Sequence, residues 1–183
     1  MESILEMRET FQALYGHKAE RAFSSCGRVE LVGNHTDHQH GLVIACGVNL
    51  SAVALVAPND RNELRLASKG FSACSVSLDA LDPDPKEYGT TTALLRGVLH
   101  GIVERGANPF GLDLYLVSNV LSGSGISSSA AIEVLLAGVM NGYYLDGVLD
   151  GIASVPSAQS ALLHFLQHTK TIRLQPVCLT QEE

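Results

Sequence analysis

Two segments of the sequence combine residue types that could do chemistry. The first is a Gly–Ser segment, Ser122 to Ala131 (SGSGISSSAA), which lies between an apolar strand pattern and a long apolar helix pattern. Its glycines, Gly123 and Gly125, permit backbone conformations that bring N–H groups close to a ligand. The serines stand where a helix begins, so they lie beside unpartnered N–H groups and the positive end of the helix dipole. This combination favours binding of an anion such as the phosphates of a nucleotide.

Two other nucleotide-binding loops and a purely structural role are alternative interpretations of the Gly–Ser segment. A Walker A loop needs a lysine directly after its last glycine, and no lysine directly follows Gly125. A Rossmann fingerprint needs a third glycine where Ser128 stands, and its acid would fall on Asp146 or Asp150, in a glycine-containing turn. A serine N-cap after a flexible turn is the purely structural alternative. The string as a whole favours phosphate binding over that alternative.

The second segment is a polar run between two apolar strand patterns, GNHTDHQHG, which is bracketed by Gly33 and Gly41. So many hydrogen-bonding groups in a short span favour a pocket for sugar hydroxyls. Two alternatives remain. The histidines and the aspartate offer nitrogen and oxygen ligands for zinc, although a zinc site built from one loop alone is unusual. The run could also be a solvated loop. The zinc alternative involves His35, Asp37, His38 and His40.

Both segments resemble motifs of one kinase superfamily. The string from Gly27 to Gly41, GRVELVGNHTDHQHG, resembles the galactokinase signature GRVNLIGEHTDYxxG. The Gly–Ser segment resembles the second motif of the GHMP kinases, which include galactokinase, homoserine kinase and mevalonate kinase. The resemblance covers roughly residues 20–145. It implies an α+β fold, the GHMP-kinase N-terminal lobe with a ribosomal-protein-S5-like mixed sheet and helices, in a domain of residues 1–149.

The resemblance also implies an activity and a role for each matching residue. A galactokinase transfers the γ-phosphate of ATP, with Mg²⁺, to the anomeric hydroxyl of galactose. Arg28 would be the catalytic residue that stabilises charge near the transferred phosphoryl group. The sugar would be bound by Asn34, His35, Thr36 and Asp37. ATP would be bound by Ser68, Gly123, Ser124, Gly125, Ile126, Ser127, Ser128 and Ser129, and Ser129 would also ligate Mg²⁺.

Three departures from the galactokinase pattern in the first motif change a polar or aromatic residue. Asn34 stands where the family has Glu, and an amide carries no charge and donates as well as accepts hydrogen bonds. This predicts a change in the recognition of one sugar hydroxyl. Glu30 replaces the usual Asn, and His38 replaces the usual Tyr.

The last part of the chain departs further. Galactokinases carry an Mg²⁺-binding Glu and then a catalytic Asp some dozens of residues after the serines, but this sequence has no Asp beyond Asp150. We therefore expect residues 150–183 to be an atypical tail, such as a frameshift would produce, with the C-terminal lobe missing. We expect very low activity. Alternatives are a non-catalytic sensor of galactose and ATP, and an inactive fragment.

Hydrophobic periodicity predicts the elements that position these segments. Helices are expected over residues 3–20, 91–104 and 127–144, and Gly106 is expected to end the second. Strands are expected over 21–33, 42–58, 64–68, 74–78 and 111–117. In the tail, only residues 157–168 have a helical pattern.

Composition bounds the remaining possibilities. Of the 183 residues, 46% are apolar, which excludes a disordered chain. The net charge of −7 disfavours nucleic acid or an anionic membrane as partner. The uncharged run Gly41–Pro58 is near the lower length limit of a membrane span, but its Val content favours two buried strands with a break near Asn49. The four cysteines form no C-x-x-C pair and no signal peptide is seen, so we expect a cytoplasmic protein with reduced thiols.

Overall fold

The structure is a computed structural model, and it describes residues 2–32, 44–120 and 128–147. Within these ranges helices and strands alternate in an α+β arrangement, as expected from the sequence. One turn of 3₁₀ helix, Pro85–Glu87, precedes the second helix. The elements in chain order are α1 (Ile4–Tyr15), β1 (Arg21–Val32), β2 (Ile44–Pro58), β3 (Glu63–Ser68), β4 (Cys74–Ser77), α2 (Thr91–Val103), β5 (Leu112–Ser118) and α3 (Ser128–Tyr144).

The strands form a mixed five-stranded sheet in the order β1-β2-β5-β3-β4. Strand β3 pairs with β5 in parallel, and the other neighbours are antiparallel. Strands β1, β5 and β3 therefore all run in the same direction. Their C-terminal ends lie along one side of the sheet, which we call the carboxyl edge.

Helices cover both faces of the sheet because the strand residues alternate between them. On β5, Leu112, Leu114 and Leu116 belong to the larger core, which also contains most of the buried residues of α2 and α3. Tyr115 and Val117 point to the other face and pack in a smaller core with α1. Strand β5 lies between β2 and β3, and six of its seven residues are buried.

Helix α1 is shorter than the predicted span of residues 3–20. It begins with a capping box, in which the Ser3 hydroxyl accepts from the Glu6 N–H and the Glu6 carboxylate accepts from the Ser3 N–H. It ends at Tyr15 because Gly16 adopts a left-handed conformation with φ of 82° and donates to the Gln12 carbonyl. Hydrophobic periodicity alone did not predict that α1 ends before Gly16.

The uncharged run predicted as one or two strands is one strand, β2, with an irregularity in its middle. Cys26 pairs with Ser51, but Arg28 pairs with Gly47, so β2 carries extra residues opposite Gly27. The break predicted near Asn49 is thus a bulge. In the described part of the chain, no helix has the length and apolar character needed to cross a membrane.

The other predicted elements are confirmed with shifts of one or two residues at their ends. Gly106 has φ of 89° and donates to the Val103 carbonyl, so it follows the end of α2 as expected. The predicted helix over residues 157–168 and the predicted boundary at residues 149 and 150 lie outside the described residues.

Candidate functional site

The carboxyl edge collects the predicted site residues that the structure describes. Arg28 lies in the last half of β1, and Ser68 is the last residue of β3. Strand β5 ends at Ser118, from which the chain leads to the Gly–Ser segment and α3. Residues from three separate parts of the sequence therefore share one side of the sheet.

The strand register sets the spacing of these residues. Ser118 of β5 is opposite Ala52 of β2, and Ala52 is opposite Ser25 of β1. Arg28 lies three residues further along β1, which corresponds to roughly 10 Å at the usual strand rise. Two strand spacings, about 10 Å in all, separate β1 from β5 across the sheet. The distance between Arg28 and the end of β5 is therefore comparable to the size of a small-molecule substrate.

Two hydrogen bonds between Asn119 and the main chain of Ser51 fix the position of the chain after β5. The Asn119 side-chain oxygen accepts from the Ser51 N–H at 2.6 Å, and the Asn119 N–H donates to the Ser51 carbonyl at 3.1 Å. These bonds tie Asn119, which precedes the Gly–Ser segment by three residues, to β2. The sequence pattern did not indicate this role for Asn119, because its partner is 68 residues away.

On the other side of β5, Ser68 is held by main-chain contacts. It pairs with Leu116, and the following Lys69 N–H donates to the Leu116 carbonyl at 3.0 Å. The Ser68 carbonyl accepts from the Phe71 N–H in a tight turn. Ser68 is half-buried. It thus lies on the opposite side of β5 from Arg28.

Helix α3 is anchored at its C-terminal end. Arg21 donates to the Gly142 carbonyl at 2.9 Å, and its guanidinium lies over the Tyr143 ring. The Tyr143 hydroxyl donates to the Val56 carbonyl at 3.2 Å, and the Tyr144 hydroxyl donates to the Phe110 carbonyl at 2.7 Å. These contacts are at the start of β1, the end of β2 and the start of β5, so the C-terminus of α3 lies opposite the carboxyl edge.

The first turn of α3 consequently points toward the carboxyl edge. Ser128 is half-buried and Ser129 is exposed, whereas Ala130 and Ala131 are buried. The exposed hydroxyl of Ser129 and the first N–H groups of a long helix are what an anionic ligand and its cation require. One turn further, Glu133 has a carboxylate oxygen, Oε2, that is buried and has no hydrogen-bond partner.

The sequence left open whether Glu133 faces solvent or a ligand. In the structure it is half-buried, and burial raises the pKa of its carboxyl group. Helical spacing places it on the stripe of Ala137 and Met140, both of which are buried. A buried carboxylate without a partner is unfavourable, and such groups are concentrated at functional sites.

A second carboxylate, Asp113, is fully buried and lies away from the carboxyl edge. It is the second residue of β5 and faces α1, where Arg65 binds it in a bidentate manner with both distances 2.7 Å. Asn59 and His17 complete its partners. Burial alone would raise the pKa of Asp113, but the hydrogen bonds from Arg65, His17 and Asn59 outweigh it and lower the pKa. These three partners join β5 to β3, to the segment after α1 and to the turn after β2.

The remaining predicted site residues lie outside the described ranges. They are the sugar-binding residues Asn34, His35, Thr36 and Asp37, and Gly123, Ser124, Gly125, Ile126 and Ser127 of the Gly–Ser segment. The alternative zinc ligands His38 and His40 also lie there. Across residues 2–32, 44–120 and 128–147, no cluster of three metal-ligating side chains occurs, and Cys26, Cys46 and Cys74 are free thiols.

Comparison with known proteins supplies the family. The galactokinase galactose-binding signature matches residues 9–58, which include β1 and β2. Galactokinase from Streptomyces coelicolor is 41% identical over 140 residues, and galactokinase from Bacillus subtilis is 33% identical over 164 residues. This chain belongs to the galactokinase family. The alignments cover 76% and 88% of the chain but only 36% and 42% of the two galactokinases, so the chain spans about two fifths of these relatives.

Solved structures show the same fold. The crystal structure of Lactococcus lactis galactokinase complexed with galactose superimposes with a TM-score of 0.73 at 23% identity, covering 81% of this chain and 39% of that one. Mevalonate kinase from Methanococcus jannaschii superimposes with a TM-score of 0.61 at 15% identity, covering 72% and 42%. The predicted GHMP-kinase N-terminal fold of this galactokinase homologue is therefore confirmed.

Proposed function

We propose that the chain carries the galactose-binding and ATP-binding segments of a galactokinase-type sugar kinase. The reaction is transfer of the ATP γ-phosphate to the anomeric hydroxyl of galactose. The observation that supports this most strongly is the convergence of Arg28, Ser68 and the start of α3 at the carboxyl edge. These residues belong to the two matched motifs and to a third segment, yet one edge of the sheet brings them together.

The nucleotide is assigned to the start of α3. Main-chain N–H groups and the hydroxyls of Ser128 and Ser129 would bind the phosphates, together with Gly123 to Ser127, and Ser68 would lie toward the adenine. Mg²⁺ would bind at Ser129, where it would neutralise charge on the phosphate oxygens. The exposed hydroxyl of Ser129 and the unpartnered oxygen of Glu133 suit an ATP-bound cation, because Mg²⁺ prefers oxygen ligands.

The sugar is assigned to the polar run that follows β1. Asn34, His35, Thr36 and Asp37 supply donors and acceptors for hydroxyl groups, and Asp37 would accept from them. Arg28 precedes this run on β1 and lies at the same edge of the sheet as the start of α3. Its guanidinium would stabilise the negative charge on the phosphoryl group as that group moves from the nucleotide to the sugar.

We propose the following partners and location for the chain. A small-molecule sugar is the proposed substrate, ATP and Mg²⁺ are the proposed cofactors, and the cytoplasm is the proposed location. A net charge of −7 disfavours nucleic acid and an anionic membrane as partners.

The chain itself is expected to turn over slowly. Phosphoryl transfer needs a group that receives the proton of the sugar hydroxyl, and the sequence has no Asp after Asp150, where the family places it. Loss of a general base lowers rates by about 10²–10⁴-fold. The same observation favours a second candidate function, binding of galactose and ATP without turnover.

Calorimetry combined with an ADP-release assay tests this proposal. We expect the purified chain to bind galactose and Mg·ATP, with galactose-dependent ADP release far below ordinary kinase rates. Rapid release at those rates would contradict the expected low activity. Failure of both ligands to bind would contradict the assigned site.

A further inference from the structure

A carboxylate near the start of the chain lies at the carboxyl edge, on the face of the sheet that α1 covers. The side chain of Glu2 is 8% exposed, and its Oε2 atom accepts a hydrogen bond from Lys69 Nζ at 2.7 Å. The hydroxyl oxygens of Thr10 and Tyr115 lie 3.3 Å and 3.4 Å from its Oε1 atom. Glu2 therefore connects α1 with β5 and with the residue that follows β3.

Lys69 belongs to the turn that carries Ser68. Its main-chain N–H donates to the Leu116 carbonyl of β5, and the Phe71 N–H closes the turn by donating to the Ser68 carbonyl at 3.1 Å. The hydrogen bond to Glu2 and the charge of that carboxylate raise the pKa of Lys69, so the ion pair persists at neutral pH. The turn is thus held by main-chain bonds to β5 and by a side-chain bond to Glu2.

The side chains of Ser68 and Lys69 point to opposite faces of the sheet, because strand residues alternate. Leu66 of β3 belongs to the larger core, and Ala67 belongs to the smaller core beside α1. Continuing this alternation places Ser68 on the face that α2 and α3 cover, where the first turn of α3 also lies. Lys69 falls on the α1 face, where it meets Glu2. Glu2 therefore acts on the turn from the face opposite to the proposed nucleotide.

Burial makes this ion pair stronger than a solvated surface pair. Two exposed charged side chains gain little from pairing. The Glu2 carboxylate is largely removed from water, although Lys69 is 60% exposed, and a buried carboxylate depends on its hydrogen-bond donors. Loss of the Glu2 contact would remove the connection between the turn and α1.

We propose that Glu2 is a positioning residue for the nucleotide part of the site. Through Lys69 it fixes the turn after β3 and, with that turn, the direction of the Ser68 hydroxyl. This inference rests on the proposed function, which assigns Ser68 to the adenine side of ATP. Glu2 therefore affects recognition of the base and leaves binding of the phosphates and of galactose unchanged.

Isothermal titration calorimetry on the full 183-residue chain tests this inference. Three probes are titrated separately: Mg·ATP, galactose, and Mg·tripolyphosphate, which has the phosphates without a base. The variants are Glu2→Ala, Lys69→Met and the double variant, and the matched control is Glu9→Ala, at an exposed carboxylate of α1. Circular dichroism melts verify that each variant is folded. Glu2→Gln, which keeps the shape and removes the charge, replaces Glu2→Ala if that variant unfolds.

We expect Glu2→Ala to bind Mg·ATP about 5- to 10-fold more weakly, which lies within the range of coupling between residues in contact. Lys69→Met should show a similar loss. The double variant should be no weaker than the single variants, because both changes break the same contact. Affinities for Mg·tripolyphosphate and galactose should match the wild type in every variant, and Glu9→Ala should match it for all three probes.

Two results would overturn the inference and leave the proposed function standing. Wild-type affinity for Mg·ATP in a folded Glu2 variant would show that the ion pair does not position the turn. Equal losses of affinity for all three probes would show a general structural role. A wild-type chain that binds none of the probes would instead overturn the proposed function and with it this inference.

Discussion

Two carboxylates, one fully buried and one half-buried, differ in the hydrogen-bond donors around them. Asp113 is fully buried and has a donor from each of three side chains, whereas the buried oxygen of Glu133 has none. The partners of Asp113 come from positions 17, 59 and 65, so no local pattern could have predicted the cluster. Glu133 could be placed on α3 from the sequence, but only packing shows that its carboxylate is half-buried.

Replacement of Asp113 by Asn should destabilise the fold. The amide cannot accept the bidentate pair from Arg65, and loss of one partner of a buried ion pair costs about 3–5 kcal/mol. Urea denaturation measures the change in unfolding free energy. Glu63→Gln, at a surface pair with Arg61 in which the two atoms are 3.9 Å apart, is the control and should change it by less than about 1 kcal/mol.

The effect of Asp113→Asn should also depend on pH. Since folding lowers the pKa of Asp113 below the ordinary value of an aspartate, the native state binds fewer protons than the unfolded chain around that pKa. The carboxylate therefore contributes stability above about pH 4 that is lost as the pH falls through the folded pKa. The difference between the two proteins should shrink in acid. A difference that is constant from pH 7 to pH 3 would contradict the assigned ion pair.

Asn34 tests the sugar assignment at a single position. Replacing it with Glu restores the residue of the galactokinase signature, and a hydrogen bond to a charged group is worth about 1.5–3 kcal/mol. We expect the Asn34→Glu variant to bind galactose at least about tenfold more tightly in calorimetric titrations. Glu9→Gln, on α1, should leave the affinity unchanged. Equal affinities for wild type and Asn34→Glu would remove Asn34 from the sugar site.

At the scale of elements, periodicity predicted which segments form helices and strands, and packing decided how they end and where they point. Helix α1 stops four residues after Met7 and Phe11 complete its buried stripe, because Gly16 turns the backbone. Strand β2 continues through the polar Asn49 because pairing with β1 resumes beyond a bulge. The orientation of α3 depends on contacts of Arg21 with α3 and on contacts of the tyrosines of α3 with the sheet. Sequence spacing cannot predict these contacts, because the partners are far apart in the chain.

Two glycines should respond in opposite ways to replacement by Ala. A Cβ atom on Gly111 would collide with the Arg61 carbonyl and the Asn59 side chain, where the backbone just before β5 passes the turn after β2. Gly97 in α2 has open space around its Cβ position. Thermal denaturation should therefore show a lower melting temperature for Gly111→Ala. For Gly97→Ala it should show a gain of roughly 0.5–1 kcal/mol, and equal effects would contradict the packing described for this turn.

At the scale of the whole molecule, the sheet order makes a site out of distant motifs. The sequence could predict the two motifs, the α+β class and the family, because each depends on contiguous residues. It could not show that β1, β3 and β5 run in one direction, since that follows from the pairing of β2 with both β1 and β5. The parallel pairing of β3 with β5 then places Ser68 on the same edge as Arg28.

The most direct test is amide chemical-shift mapping by NMR, for which a 19.4 kDa chain is well suited. Galactose and Mg·ATP are added separately and then together to ¹⁵N-labelled protein. We predict that galactose shifts the amides around Arg28, and that Mg·ATP shifts those of Ser68, Ser128 and Ser129. Residues near Asp113 and His17, on the other face of the sheet, should not move. Shifts confined to that face, or none at either ligand's saturating concentration, would contradict a substrate site at the carboxyl edge.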